Sequence, residues 1–397
     1  MTTQIEQNEV DSEVPMTVPD AVLSLKNVSK RFGSIDAVKD VSLEISPGEV
    51  VTLFGPRSGG MTTLLRAVAG LERLTAGDIS YGGQVLDAGP SSTYVSPQKR
   101  NMGVVLRPHG LWPHMTVAEN VAYPLRVRKV HSAEIRDRVA KTLEMVGVGG
   151  FEQRAIASLT GGEQLRTAVA RGLASAPSIL LIDEPMADLE PEERDAMRFD
   201  LRIMQRALGV TMLLATHDRT TALALSDRIA VVDDGRLEQV GEPAELYRNP
   251  TSGRVRDLLG SMVLLDGVVE ATPASGLLTV RLGGPAGPAI DAVATAGVGM
   301  PLGAPCHLAI RPEGVSPVSI GLTASAHEPN VLQGIIATML FAGDRYEARI
   351  ELPWGQELLL QLPPDEQWRA GQTLSLRLSS DMLRVWPSEG TVAPSNS

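Results

Sequence analysis

Cysteine is almost missing from this chain: Cys306 is the single thiol in 397 residues. That excludes an internal disulfide framework and suits a reducing compartment. Long uncharged apolar runs are missing as well. The best candidate, residues 292–310, is broken by Gly297, Gly299, Pro301, Gly303 and Pro305, which favours loops and short strands over a membrane span. No basic stretch followed by an apolar core opens the chain, so no secretory signal is read and a cytoplasmic location is expected. Positive charge is not in excess either. The formal net charge of −11 argues against nucleic acid as a partner. Apolar material is plentiful: 43% hydrophobic residues can fill the cores of the two or three domains this length suggests.

Residues 1–20, with Glu6, Glu9, Asp11 and Glu13 and no compensating base, read as a solvated, disordered acidic tail. Order is expected from about Val22. Leu23 and Leu25, then Val41, Leu43 and Ile45, alternate with polar residues as half-buried strands do. Phe32 falls in a polar stretch between these strands, either as an aromatic platform or as an ordinary edge aromatic. Pro47-Gly48 then turns the chain into Val50–Phe54, a β-rich apolar run.

The next nine residues, Gly55-Pro56-Arg57-Ser58-Gly59-Gly60-Met61-Thr62-Thr63, organise the reading of everything else. A helix is expected from Thr62 to Ala69, with Leu64, Leu65 and Val68 on its buried side and Gly70 at its end. Strand, glycine loop and helix in that order is the setting in which G-x-x-x-x-G-K-[ST] becomes a phosphate cradle of backbone N–H groups. Gly55, Gly60 and Thr62 fit, but Met61 stands at the lysine position. A lysine there supplies charge-assisted hydrogen bonds of about 1.5–3 kcal/mol, so its loss weakens binding roughly ten- to a hundredfold. Chemistry should suffer more, by about 10²–10³ in rate, because charge develops in the transition state. Arg57 is a candidate to replace the missing cation in part. An ordinary glycine-rich turn is the alternative for this loop taken alone.

Further along, Met102–Leu106 reads as a buried strand ending at Arg107, and two helical stretches follow with Val117, Val121 and Leu125, then Ile135, Val139, Leu143 and Val146, at helical spacing. Thr160, Gly161 and Gly162 precede a helix expected over Glu163–Ala174, and so make a second anion-ready helix N-terminus or a flexible turn. Ile179–Ile182 is an apolar run of buried parallel-strand type that ends in Asp183 and Glu184. Beside a phosphate loop, Asp183 is suited to hold Mg²⁺ and Glu184 to orient the attacking water; a solvated acidic turn is the plainer reading. Val210–Thr216 delivers His217 and Asp218 to the same edge. Asp234-Gly235 then joins two strands in a type I′ hairpin.

In this order the set resembles the ATP-binding subunit of ABC transporters over about residues 22–250, most specifically at Leu159–Arg166, Ile179–Pro185 and Thr216–Asp218. The resemblance implies an α/β P-loop ATPase core with an antiparallel β subdomain and a helical subdomain at about residues 105–175. It implies ATP and Mg²⁺ as cofactors, Phe32 as the adenine-stacking aromatic, and Gly55, Arg57, Ser58, Gly59, Gly60, Met61, Thr62 and Thr63 as the phosphate loop. Thr62 and Asp183 would hold the metal, Glu184 would be the catalytic carboxylate and His217 the switch histidine. Thr160, Gly161 and Gly162 would close over nucleotide held by a partner subunit. Arg107 occupies the position of the family's Q-loop glutamine, and a guanidinium there adds like charge near the metal.

Residues 251–388 change character to short alternating strands between glycines and prolines, expected to form a C-terminal all-β (OB-like) domain. Ala309–Glu313 and Leu383–Trp386 resemble the accessory domain of importer ATPases of the sugar, polyamine, ferric-iron and sulfate type. Residues 389–397 read as a disordered tail. The implied function is the ATP-binding subunit of an importer, docked on permease subunits at the cytoplasmic face of the membrane. It would dimerise with itself or with a second ATPase subunit and serve a system that includes a solute-binding protein. The competing readings are a pseudo-ATPase that regulates or scaffolds, and a soluble ATPase acting on nucleic acid.

Overall fold

In the computed structural model, residues 22–90, 93–272, 277–294, 300–318 and 330–388 are described. The two tails expected at 1–20 and 389–397 lie outside them. The first alternating runs form the antiparallel hairpin β1 (Leu23–Phe32) and β2 (Ile35–Ile45), whose alternate apolar residues enter one core. Phe32 is the last residue of β1, paired with Ile35. It therefore belongs to a strand end and does not lie between strands. β3 (Val50–Phe54) leads through the glycine loop into α1 (Met61–Ala69), which Gly70 ends at φ 77°. The polar segment that follows supplies β4 (Ala76–Tyr81) and β5 (Gln84–Asp87), and the sheet order is β2-β1-β4-β5.

β6 (Met102–Val105) precedes three helices, α2 (Val117–Val127), α3 (Ser132–Met145) and α4 (Gly161–Leu173). Val117, Val121 and Leu125 of α2 meet Val139 and Leu143 of α3 and Leu165 and Val169 of α4 in one apolar cluster. Next come β7 (Ile179–Asp183), α5 (Pro191–Leu208), β8 (Thr211–Thr216) and α6 (Arg219–Leu225). β9 (Arg228–Asp233) and β10 (Arg236–Gly241) close the series. Asp234 and Gly235 between them both have positive φ, 46° and 75°, as a type I′ turn requires.

The central sheet runs β10-β9-β3-β8-β7-β6, parallel except for β10. Every residue of β3, β7 and β8 is buried, as in a sheet covered on both faces. Because β3, β8 and β7 are parallel neighbours, their C-terminal ends share one edge, where ligands of open α/β sheets bind.

A second unit begins at Glu245, within α7 (Pro243–Arg248). It continues through α8 (Gly253–Leu258), β11 (Val263–Ala271), β12 (Leu277–Leu282), β13 (Ala289–Ala294), β14 (Pro305–Ile310) and β15 (Val315–Pro317). The remaining strands are β16 (Val331–Phe341), β17 (Tyr346–Glu351), β18 (Glu357–Leu362), β19 (Thr373–Leu378) and β20 (Arg384–Pro387). β11-β12-β13-β20-β14 close into a barrel, and β15-β19-β16-β17-β18 form a sheet. All pairings are antiparallel except a short β13–β20 contact. The Ala309–Glu313 stretch buries Arg311, whose guanidinium donates to the carbonyls of Gly260 and Tyr247 and lies 4.1 Å over the Tyr247 ring. Those contacts let a charge be buried. No helix among the described residues is long and apolar enough to cross a membrane.

Candidate functional site

Strand register assembles the site. Phe54 pairs with Thr216 and Asp183 with Ala215, so one residue further on Gly55, His217 and Glu184 leave the sheet side by side. The glycine loop is pinned where it starts: Gly59 N–H donates to the Pro56 carbonyl at 2.8 Å, and the Gly235 N–H donates to the Gly59 carbonyl at 3.0 Å. Gly60 has φ 95°, and a Cβ there would lie 2.2 Å from the Ala37 carbonyl oxygen. Only glycine satisfies both conditions. Arg57 and Ser58, which replace a small residue and a glycine, lie outside the left-handed region, so the loop accepts them without backbone strain.

Helix α1 opens without a side-chain cap and without an acidic residue in its first turn. Its first N–H groups therefore remain available for an anion. Thr62 is exposed, and its Oγ1 donates to Asp183 Oδ1 at 3.0 Å. Asp183 is 8% exposed. Burial above all, together with the charge of Glu184, lifts its carboxyl above the ordinary range against the Thr62 hydrogen bond and the charges of Arg66 and Arg107. A buried carboxylate beside a hydroxyl, held up by desolvation, suits a hard cation. The uncapped helix start and this donor pair together fit a magnesium nucleotide.

Glu184 sits at φ 50°, a strained position for a residue with a side chain and one common at functional sites. Its carboxylate is held from three directions. Thr216 Oγ1 donates to Oε2 at 3.0 Å, the His217 N–H donates to Oε1 at 3.2 Å, and His217 Nδ1 lies 2.5 Å from Oε1. On the other side of the ring, Arg57 Nη2 is 2.8 Å from His217 Nε2. Thr216 is the partner that the sequence reading overlooked. Its only signal was its place immediately before His217.

Met61 presents nothing to a ligand beyond its backbone. It is 3% exposed and packs in the core with Leu64, Leu65, Val68 and Ala215. Arg107 is exposed and reaches Asp188 Oδ1 at 3.6 Å, so its charge is turned toward a carboxylate. Phe32 is 43% exposed with the Lys30 ammonium 4.6 Å over its ring. Thr63 is partly exposed on the first turn of α1.

The second glycine pair is not bare. Thr160 Oγ1 accepts from the Glu163 N–H at 3.3 Å, and Glu163 Oε2 accepts from the Thr160 N–H at 2.9 Å. This capping box satisfies two of the groups expected to be free. A Cβ on Gly161 would lie 2.9 Å from the Asp188 carbonyl, and one on Gly162 would lie 3.4 Å from the Met197 side chain. These residues face the segment after β7 and helix α5.

The chain has clear likenesses. Residues 38–187 match the ABC transporter family, and residues 308–386 match the TOBE domain. The spermidine/putrescine import ATP-binding protein PotA of Rubrobacter xylanophilus is 37% identical over 355 residues, 89% of this chain and 90% of that protein. The protein of the same name from Pseudomonas aeruginosa is 38% identical over 348 residues, 88% and 92% of the two chains. Among solved structures, cbiO1 from Clostridium perfringens, part of the ABC transporter complex cbiONQ, matches with a TM-score of 0.53 and 26% identity over 57% of this chain and 91% of that one. With relatives this similar along nearly its whole length, and with a glycine loop and uncapped helix start beside a carboxylate pair, the chain belongs to the ATP-binding proteins of ABC importers.

Proposed function

We propose that this protein is the ATP-binding subunit of a polyamine importer and that its own hydrolytic site is weakened. The observation that carries the proposal is the joining of Thr62–Asp183 and Glu184–His217 at the open start of α1, with Met61 withdrawn into the core. The polyamine assignment rests on the spermidine/putrescine import proteins that share its length. Phe32 would stack on the base, residues 55–63 would hold the phosphates, and residues 21–250 would act as the ATP-binding domain, with 105–175 as its helical part. Residues 251–388 would be an accessory domain.

A magnesium-bound ATP supplies the phosphoanhydride bond. Thr62 and Asp183 would hold the metal, and the α1 amides would neutralise phosphate charge. Glu184, steadied by Thr216 and His217, would orient a water and accept its proton. Thr160, Gly161 and Gly162 would complete the site of a second ATPase copy. That copy is either this chain or a partner with an intact loop. Closure of the pair would drive permease subunits at the inner face of the membrane, fed by a solute-binding protein. An apolar groove of about 500 Å³, lined by Leu71, Leu106, Trp112, Tyr123 and Val127, offers the permease a seat.

A pseudo-ATPase role is favoured by one observation, the uncharged, buried Met61. Phosphate-release assays separate the two readings. Wild type should turn over slowly, Glu184→Gln should abolish what remains, and Met61→Lys should raise the rate by about 10²–10³. No measurable wild-type turnover together with no gain from Met61→Lys would leave the regulatory role. Fast wild-type turnover would contradict the weakened site.

A further inference from the structure

The phosphate loop has lost one cation and acquired another. Position 61 carries no charge and its side chain is in the core, whereas Arg57 is exposed on the same loop. Arg57 has no carboxylate within ion-pair distance among the described residues; its guanidinium rests on an imidazole nitrogen, 2.8 Å from His217 Nε2. The nearby cations are committed elsewhere or differently placed: Arg107 pairs with Asp188, and Arg66 lies in the last turn of α1.

Hydrogen-bond chemistry fixes what this contact means. A guanidinium only donates, so His217 Nε2 must accept, and the ring proton must sit on Nδ1, where it donates to Glu184 Oε1 at 2.5 Å. Glu184 and Arg57 thus select the same neutral form of the ring, Glu184 by accepting from Nδ1 and Arg57 by donating to Nε2. The resting place of Arg57 is beside His217 and Glu184, the pair proposed above to hold the attacking water, and the phosphate that water attacks is the outermost one.

Resting on the nucleotide-binding role above, we propose that Arg57 is the terminal-phosphate recognition residue of this loop. It is held in reserve by His217 and is released from Nε2 when a triphosphate is engaged. A planar, doubly donating guanidinium matches phosphate oxygens better than it matches a neutral ring nitrogen. The exchange therefore runs toward phosphate. It makes Arg57 the discriminator between triphosphate and diphosphate, and it ties phosphate arrival to the release of the His217 ring.

Calorimetric titration of the full chain with the imido analogue of ATP and with ADP tests this. Arg57→Ala should weaken the triphosphate analogue about ten- to a hundredfold, and ADP by less than about threefold. Arg57→Lys should retain part of the preference. Nitrogen NMR of the nucleotide-free chain should show His217 with its proton on Nδ1 and a bare Nε2 that receives a hydrogen bond. Arg57→Ala should shift the Nε2 signal and leave the proton on Nδ1, where Glu184 still accepts it. A proton found on Nε2 in the unsubstituted chain would overturn the reserve contact. Because Arg57 is exposed, its replacement leaves the core intact. Equal losses for both nucleotides, or no loss for either, would overturn the discriminator while leaving the ATP-binding role standing. Failure of the unsubstituted chain to bind either nucleotide would overturn both.

Discussion

Helices α1 and α4 both have glycine at their starts, as the cap of α1 and the first residue of α4, yet the groups left there differ. α1 begins behind Gly60 with no side-chain cap and no acid in its first turn, whereas α4 begins behind Thr160 with a complete capping box to Glu163. A helix start that fills its own vacancies is stable without a ligand, and one that leaves them open can take water or an anion. The contrast extends to the backbone. Gly60 is required by its left-handed φ and by the Ala37 carbonyl, while Gly161 has no left-handed φ and is required by the close approach of the Asp188 carbonyl and the Leu189 side chain.

The sharpest way to break this comparison is to place a methyl group at each glycine. Gly60→Ala combines a left-handed residue with a backbone clash and should cost on the order of 3 kcal/mol or more. Gly161→Ala meets two tight contacts, the Asp188 carbonyl and the Leu189 side chain, without a left-handed φ, and should cost about 1–3 kcal/mol. Denaturant midpoints that fell equally would show that the left-handed constraint carries no weight. Next in size is Phe32→Ala, which tests whether base stacking belongs to the α1 side. It should weaken ATP and ADP alike by about 1–3 kcal/mol in a fluorescent-nucleotide titration. An unchanged affinity would return Phe32 to the role of an edge aromatic.

Thr160→Ala should cost about 1 kcal/mol of thermal stability through loss of the cap. A Thr63→Ala change at the uncapped α1 start removes no cap and should cost less. Equal losses would mean that the two helix starts do not differ as described. The smallest effect concerns Asp183. Its folded carboxyl is raised by burial, while the unfolded one titrates near the ordinary value of about 3.9. Between those two points the folded chain binds more protons than the unfolded chain, so this group's contribution to stability falls as pH rises. Thermal melts without metal should show that slope, and Asp183→Asn should remove it.

Much of the fold was legible because local chemistry and tertiary role agree. The apolar runs at Val50–Phe54 and Ile179–Ile182 can only be buried, and Asp234-Gly235 can hardly be anything but a tight turn. β4 and β5 were not legible, since their short polar sequences become strands only by pairing with β1. α5, with most of its residues charged or exposed, announced itself no better. The all-β, OB-like C-terminal domain was legible, but the strand order of its closed barrel was not, because β20 returns from the far end of the chain to sit between β13 and β14.

At the site, the sequence by itself determined which chemical groups exist: a glycine loop, a carboxylate pair, one histidine, and a methionine where a lysine was expected. Residue identity limits donors, acceptors and charge before any folding occurs. Tertiary structure alone decided their partners. Parallel register brought Glu184 beside His217, the core claimed the side chain of Met61, and Glu163 took up the α4 start. Such pairings depend on which strand ends share an edge, and neighbours along the chain carry no record of that.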